Sequence, residues 1–414
     1  MILHNILGAL AVVSFLSTLW QWFAARRFPL HQRIETTLDD STRRIAGGSV
    51  PAVTLLKPLK GTDEFAESCL RSWFTQVYAG EIQMLFGVAN ADDPACAVVK
   101  KLLAEFPQRD AQLVICPERL GANAKVSKLA QLEPLAKHEI IVVSDADVRV
   151  PSDLLTNLVA TLGEEGRAGS PLPAAPAHGD SGAHGVTRPT CETVGLVNCF
   201  YRFANPTTAA MQWEAIAVNA DFWSQVLQGA SFRKLDFALG AVMATRRRQL
   251  AEIGGFRALA DCLADDYQLG NRIARRGYRI KICPVVAECW SRPMGWREVW
   301  RHQLRWARTI RVCQPLPYFF SIVSNATLWP LLWCAAVPAE LSLGFLGASL
   351  FTRILITENL QHRFTQAPSG LMPLLVPVKD LLQAALWMGA FAGNHIEWRG
   401  ERYRLRCDGT LAKE

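Results

Sequence analysis

The sequence predicts an α/β protein, a mainly parallel sheet covered by helices and carried between apolar segments at the two ends of the chain. Three observations predict it. Residues 51 to 290 alternate between short apolar, β-branched runs and helical stretches. Residues 6 to 25 (ILGALAVVSFLSTLWQWFAA) carry no charge and are followed at once by Arg26 and Arg27. Carboxylates then recur after predicted strands, at Asp92-Asp93, at Asp145 and Asp147, and at Asp265-Asp266.

The first apolar stretch has the length and the basic flank of a transmembrane helix, so residues 1–27 form an N-terminal anchor. A signal peptide has its basic residues before the apolar core, and here they follow it. The positive-inside rule places the N-terminus outside and the chain after Arg27 in the cytoplasm.

The 414 residues, half of them hydrophobic, suffice for one large domain or two smaller ones. The net charge of +7 suits an anionic membrane surface or a phosphate-bearing substrate without choosing between them. No basic arm or known binding motif occurs, so nucleic acid is not an expected partner. The eleven cysteines are scattered and form no CxxC pair, which points away from a zinc ribbon or disulfide framework and toward reduced cytosolic thiols.

Within residues 50–295 the expected order is a strand at VTLLKPL, a helix from Glu64 to Gln76, a strand at EIQMLFGVA, a helix through DPACAVVKKLLAEF, and strands at AQLVICP and EIIVVSD. Pro151-Ser152-Asp153-Leu154 reads as the next helix start. Residues 163–193 are rich in Gly, Pro, Ala and Ser with almost no large apolar residue, and are expected to be a disordered insertion. His178 and His184 within it lack clustered acids or thiols and read as solvated rather than metal-binding.

The stretch VVSDADVRV sets two carboxylates at the end of a predicted buried strand, the edge at which open α/β sheets bind ligands. The alternative is that Asp145 merely ends the strand and Asp147 begins a turn. Several acids around one crevice repel each other unless a cation sits among them, and Mg²⁺ or Mn²⁺ prefers carboxylate and phosphate oxygens.

These blocks, in this order, resemble an inverting GT-A glycosyltransferase, and most closely the ceramide glucosyltransferase family (family 21). The resemblance is carried by LLKPLKG (55–61), NADDPA (90–95), LGANAKVSKL (120–129), SDADVRV (144–150), GAVMATRRRQLAEIGGF (240–256), LADDYQLG (263–270), HQLRW (302–306) and the tail WRGERYRLRCDGT (398–410). It implies a Rossmann-like nucleotide-sugar-binding domain. Asp93, or Asp92, matches the family's first aspartate, which helps to hold the nucleotide. Asp145 matches the second, and with Asp147 completes an Asp-x-Asp that binds the metal-diphosphate. Asp266 matches the third aspartate, the expected catalytic base. Arg305 and Trp306 match the end of the (Gln/Arg)-x-x-Arg-Trp motif, and Lys57 and Lys125 join the nucleotide-sugar positions. His302, counted with Asp266, Arg305 and Trp306 among the catalytic positions, departs from the motif's Gln or Arg. That departure and the intact Asp-x-Asp resemble a bacterial branch associated with hopanoid lipids. The resemblance further implies a UDP-sugar donor, a membrane-lipid acceptor (ceramide, or a hopanoid polyol taking N-acetylglucosamine) and a bacterial inner-membrane location.

The chemistry of the residues agrees. Displacing a nucleoside diphosphate from a sugar C1 needs a base, for which Asp266 is placed, a cation on Asp145 and Asp147 to neutralise the leaving charge, and a phosphate contact such as Arg305 provides. Trp306 is suited to close over donor or acceptor. Two alternatives stand beside this reading: Asp265-Asp266 as a helix N-cap, and Lys125 as a plain surface lysine.

The helix at 296–315 groups Trp296, Val299, Trp300, Ala307 and Ile310 on one face and Arg297, Arg301, Arg305 and Arg308 on another, as an amphipathic interfacial helix does. An ordinary helix packed on the domain is the alternative. Residues 316–396 hold three membrane segments. That at 317–338 is the strongest; that at 341–356 is short with Arg353 near one end; that at 371–393 has Lys379 and Asp380 in mid-run, which leaves open a span, a re-entrant turn or an interfacial helix. Residues 397–414 are expected to be a cytoplasmic tail. The rival functions are a processive polysaccharide synthase, for which the C-terminal apolar content is small, a catalytically dead membrane scaffold, and a transporter.

Overall fold

A computed structural model describes residues 2–34, 50–163, 193–368, 370, 372–398 and 401–413. The insertion expected at 163–193, with His178 and His184, lies outside the described residues except at its two ends.

Eight strands form one sheet: β1 (Val53–Pro58), β2 (Ile82–Val88), β3 (Asp110–Ile115), β4 (Ile140–Ser144), β5 (Val148–Arg149), β6 (Val194–Phe203), β7 (Val242–Arg246) and β8 (Arg279–Cys289), in the order β3-β2-β1-β4-β7-β6-β8-β5. The first half is parallel, with Leu55 beside Met84 on one side and Val142 on the other. Beyond β4 the sheet becomes mixed. β7 runs antiparallel to both β4 and β6, β6 and β8 are parallel, and the short β5 is antiparallel to β8. The expectation of a mainly parallel sheet therefore holds for β1 to β4 and gives way after it.

Alternate residues face opposite sides of each strand, and here both sides are covered. Val53, Leu55, Met84, Phe86 and Val142 pack with Trp73 and Phe74. Leu56, Leu85, Ile141 and Val143 pack with Val126, Leu129 and Phe256. Burial on both faces is why these strands read as unbroken apolar runs, each large side chain contributing about 1.5–3 kcal/mol.

Among the described residues, three helices are long and apolar enough to cross a membrane: Ile2–Arg27, Glu340–Thr365 and Met372–Phe391. In the region of the segment expected at 317–338, residues 315–336 form two helices that together are long and apolar enough for a span and are bent by 55° across residues 325–327. The Asn325 side chain accepts from the N–H groups of Thr327 and Leu328, satisfying donors that a continuous helix would bond internally. The segment with Arg353 is instead part of a 26-residue helix. Its charge is tolerated because Arg353, Asp221, Lys379 and Asp380 are buried together: Arg353 Nη2 lies 2.9 Å from both carboxylates, and Lys379 also pairs with Asp221.

On the helix Trp296–Cys313, Trp296 and Ile310 of the apolar face are exposed. Val299 and Trp300 pack with Met211, Trp213 and Leu386, so much of the apolar face is covered by protein. On the basic face Arg301 pairs with Glu397 at 3.3 Å, while Arg308 and Arg311 bond His395 and Asn394. The expected tail is folded: β9 (His395–Trp398), β10 (Glu401–Leu405) and β11 (Leu411–Lys413) make an antiparallel sheet. Ile396, Tyr403, Leu405 and Leu411 bury Leu263 of the catalytic domain.

Candidate active site

The site begins where β4 ends. Lys57, on β1, is fully buried and donates to the Asp145 carbonyl at 2.5 Å and to Ser144 Oγ at 3.3 Å, with the Trp73 ring 5.1 Å away. Burial pushes its ammonium down to about 8. Lys57 thus departs from the expectation of a nucleotide contact: it lies beneath the acidic turn and holds its backbone.

Asn123 caps the helix Ala124–Leu132 by accepting from the N–H groups of Lys125 and Val126, and this aims Lys125 into the cleft. Its ammonium lies 2.7 Å from Asp145 Oδ1 and 2.9 Å from Asp265 Oδ2. Burial opposes the charge, but the two carboxylates outweigh it and hold Lys125 above the ordinary lysine range. Lys125 is only 9% exposed, so it is not a plain surface lysine.

Asp265 and Asp266 open the helix Asp265–Arg275, but Ala264 is its N-cap, so neither acid is a capping residue. Asp266 Oδ1 accepts the Tyr267 N–H at 2.8 Å. Its carboxylate lies so close to Gly240 that a Cβ there would come within 2.8 Å of Oδ2. Burial, aided by the neighbouring Asp265 charge and opposed by Lys125, pushes Asp266 up to about 6. Asp147 is likewise pushed up to about 6, by desolvation among its neighbours and by repulsion from Asp145. Its side chain reaches solvent, which partly screens it from the Asp145 charge.

Asp93 is tied into the cleft wall. Its Oδ1 accepts from the N–H groups of Gly61 at 2.9 Å and Ala95 at 3.0 Å, while Asp92 is exposed. Trp306 lies 6.4 Å from Phe203, Phe203 pairs with Cys289, and the next residue, Trp290, donates to the Asp147 carbonyl at 3.0 Å. This chain of contacts brings HQLRW to the rim of the cleft, with Arg305 half-buried and His302 4.5 Å from Trp306.

Among the described residues no three His, Cys, Asp or Glu side chains are gathered to hold a metal ion. Asp145 and Asp147 nevertheless fit a hard divalent cation of the Mg²⁺ or Mn²⁺ kind. Their mutual repulsion raises the proton affinity of Asp147, and such ions take one or two carboxylates and complete their shell with phosphate oxygens and water.

Two site residues are not singled out in the sequence: Gly240 opens the block GAVMATRRRQLAEIGGF without any mark of its contact with Asp266, and nothing local marks Glu214, which lies beneath His302. Asn123 before a helical run was a readable cap. The tail supports the site from outside: Leu411 N–H donates to the Asp261 carbonyl at 2.8 Å, Asp261 Oδ1 accepts the Ala122 N–H at 2.9 Å, and Asn123 Nδ2 donates to the Cys262 carbonyl at 2.9 Å. The cysteines among the described residues form no disulfide.

A mixed α/β sheet with an acidic cleft at the ends of its strands, between apolar helices, defines a glycosyltransferase of the GT-A type. The chain belongs to glycosyl transferase family 21, whose model matches residues 6–173 and 180–411. It is 36% identical over 121 residues to a ceramide glucosyltransferase of Candida albicans, 27% of this chain and 22% of that protein. It is 25% identical over 259 residues to ceramide glucosyltransferase 3 of Caenorhabditis elegans, 62% of this chain and 48% of that protein. The matches thus span about a fifth to a half of those relatives. The fold is similar to that of the mannosyltransferase PcManGT from Pyrobaculum calidifontis, solved with GDP-Man and Mn²⁺, with a TM-score of 0.50, 19% identity, and coverage of 94% of this chain and 98% of that one.

Proposed function

We propose that the protein is a membrane-bound inverting transferase that moves one hexose, glucose or N-acetylglucosamine, from a UDP-sugar to a hydroxyl of a membrane lipid. The observation that carries this reading is Asp266, a carboxylate held against Gly240 and pushed up to about 6, in the same cleft as Asp145 and Asp147. A base near neutrality takes a hydroxyl proton best while still being ionised. As Asp266 removes the proton, the acceptor oxygen forms a bond to the sugar C1 and the bond from C1 to the diphosphate oxygen breaks. One displacement inverts C1, so an α-linked donor yields a β-product.

Asp145 and Asp147 would hold the divalent cation, which when bound supplies charge neutralisation to the departing diphosphate. Lys125 adds a fixed positive charge beside them, and Arg305 is suited to a phosphate contact. Asp93, with Asp92 beside it, lies on the wall suited to the nucleotide base. The apolar helices would set this cleft at the membrane surface, where a lipid hydroxyl and a water-soluble donor can meet, with the catalytic domain in the cytoplasm of a bacterial inner membrane. Ceramide is the acceptor favoured by the named relatives; His302, in place of Gln or Arg, favours a hopanoid polyol.

The test offers purified protein in detergent with Mg²⁺ or Mn²⁺ each of UDP-glucose and UDP-N-acetylglucosamine with ceramide, a hopanoid polyol or diacylglycerol, and reads lipid products by mass spectrometry. A single-sugar adduct on one lipid supports the reading. A ladder of sugars shows a processive synthase, and no lipid product from folded protein overturns the reading.

A further inference from the structure

A second carboxylate, outside the acidic cleft, faces the HQLRW helix. Glu214, on the helix Ala209–Ile216, has no exposed surface. Its Oε1 lies 2.6 Å from His302 Nδ1 and accepts from Gln303 Nε2 at 2.8 Å, while Oε2 is buried without a hydrogen-bond partner. A carboxylate so deeply buried is costly unless it holds something in place, and both of its bonds go to neighbouring residues of one motif.

A carboxylate that accepts from Nδ1 fixes the imidazole tautomer and leaves Nε2 as the ring's other polar atom. The His302 side chain is 25% exposed, and its ring lies beside Trp306 at the cleft rim. Trp306 lies 6.4 Å from Phe203, and Tyr201, two residues earlier on the same face of β6, feels the charges of Asp266, Asp145 and Glu214 alike. A lone pair at Nε2 suits a hydroxyl, which donates, and does not suit a diphosphate, which only accepts.

Resting on the proposed transfer to lipid, we infer that Glu214 holds His302 so that Nε2 accepts a hydrogen bond from a second, non-reacting hydroxyl of the acceptor, beside Trp306. The reacting hydroxyl belongs to Asp266. His302 is then the residue that selects lipids carrying two neighbouring hydroxyls, and Glu214 is its positioning residue. Ceramide and hopanoid polyols carry such a pair; diacylglycerol, with one hydroxyl, does not.

The experiment measures transfer to ceramide, to 3-deoxyceramide and to diacylglycerol by the full-length parent, His302→Leu, His302→Gln and Glu214→Gln, with UDP binding measured in parallel. The parent is expected to prefer the two-hydroxyl lipid by about 10- to 100-fold in kcat/KM, the effect of one unmet hydrogen bond at a buried polar group. His302→Leu is expected to lose that preference by slowing only on ceramide, with UDP affinity unchanged. His302→Gln, which keeps an acceptor atom, is expected to retain most of it, and Glu214→Gln to fall between.

Equal use of ceramide and 3-deoxyceramide by the parent overturns the inference. So does a His302→Leu variant that keeps the preference, or one that weakens UDP binding instead. Should His302→Leu fail to fold, unaltered discrimination by His302→Gln and Glu214→Gln together with reduced UDP affinity overturns it equally. Absence of transfer to these lipids and to a hopanoid polyol offered beside them defeats the underlying lipid-transfer reading and is distinguishable from these results.

Discussion

The Lys125 ammonium stands 2.7 Å from Oδ1 of Asp145 and bridges to Asp265 on the other side of the cleft. The chain thus carries a positive charge of its own among acids that would otherwise repel each other. Removing it by Lys125→Met leaves Asp265 buried and unpaired, and losing one partner of a buried pair costs about 3–5 kcal/mol. A clear fall in thermal stability is expected from scanning fluorimetry in detergent. A variant as stable as the parent would show that the bridge does not hold the two loops together.

Gly240 lies against the candidate base. A Cβ there approaches Asp266 Oδ2 to 2.8 Å with the Asp266 Cβ at 3.3 Å, so the carboxylate must move. Gly240→Ala is expected to lower kcat by about 10²-fold, as small misplacements of a catalytic group do, with UDP binding retained. Steady-state kinetics beside a binding titration separate the two effects.

Asp266 is pushed up to about 6 by burial and by Asp265. Because the ionised carboxylate is the base, log kcat/KM is expected to fall with unit slope as pH drops below about 6. Stability follows the opposite sign. The folded state disfavours the anion relative to an unfolded carboxyl at about 3.9, so the cost of charging Asp266 is absent below about 3.9 and fully present above 6. Asp266→Asn is therefore expected to abolish transfer yet raise Tm at pH 7.5. A variant with near-normal turnover would remove Asp266 from the role of base.

The C-terminal sheet reaches the same loop from outside. Leu405 is 1% exposed and packs with Leu263, just ahead of Asp265. Leu405→Ala is expected to cost about 2–5 kcal/mol where the sheet docks and to slow transfer. Hydrogen exchange over residues 259–266 should rise with it. Protection unchanged there would separate the tail from the site.

What could be read in the sequence follows from what is local. β1, β2 and β4 are buried on both faces and announce themselves as apolar runs, and Asp145, Asp147 and Asp266 stand at their ends or at a helix start. The antiparallel insertion of β7 between β4 and β6 depends on pairing between distant segments and leaves no local pattern. The same holds for Lys125, whose role is set by Asp265 at the start of a distant helix. Lys57 reads as a polar residue in a motif, but the direction of β1 turns it under the Ser144-Asp145 turn. Arg353, Lys379 and Asp380 weaken the hydropathy of their segments, and only the three-dimensional pairing shows why those helices persist.

That pairing leads to the last prediction. Arg353 Nη2 lies 2.9 Å from carboxylate oxygens of Asp221 and Asp380, Lys379 pairs with both, and Thr327 at the break of the bent helix donates to Asp380 Oδ2 at 2.8 Å. The two cations and two anions balance, and they join the catalytic domain at Asp221 to two apolar helices and the bend. Arg353→Met leaves two buried carboxylates against one ammonium, a loss of about 3–5 kcal/mol. Asp380→Leu alone leaves the converse excess of positive charge. The double variant Arg353→Met/Asp380→Leu keeps Asp221 with Lys379 as a neutral pair, so its loss is expected to be smaller than the sum of the two single losses. Thermal unfolding of the three variants in detergent measures that coupling. Strict additivity would mean that the four groups act separately, and that the bend at residues 325–327 is held by Asn325 and its backbone bonds instead.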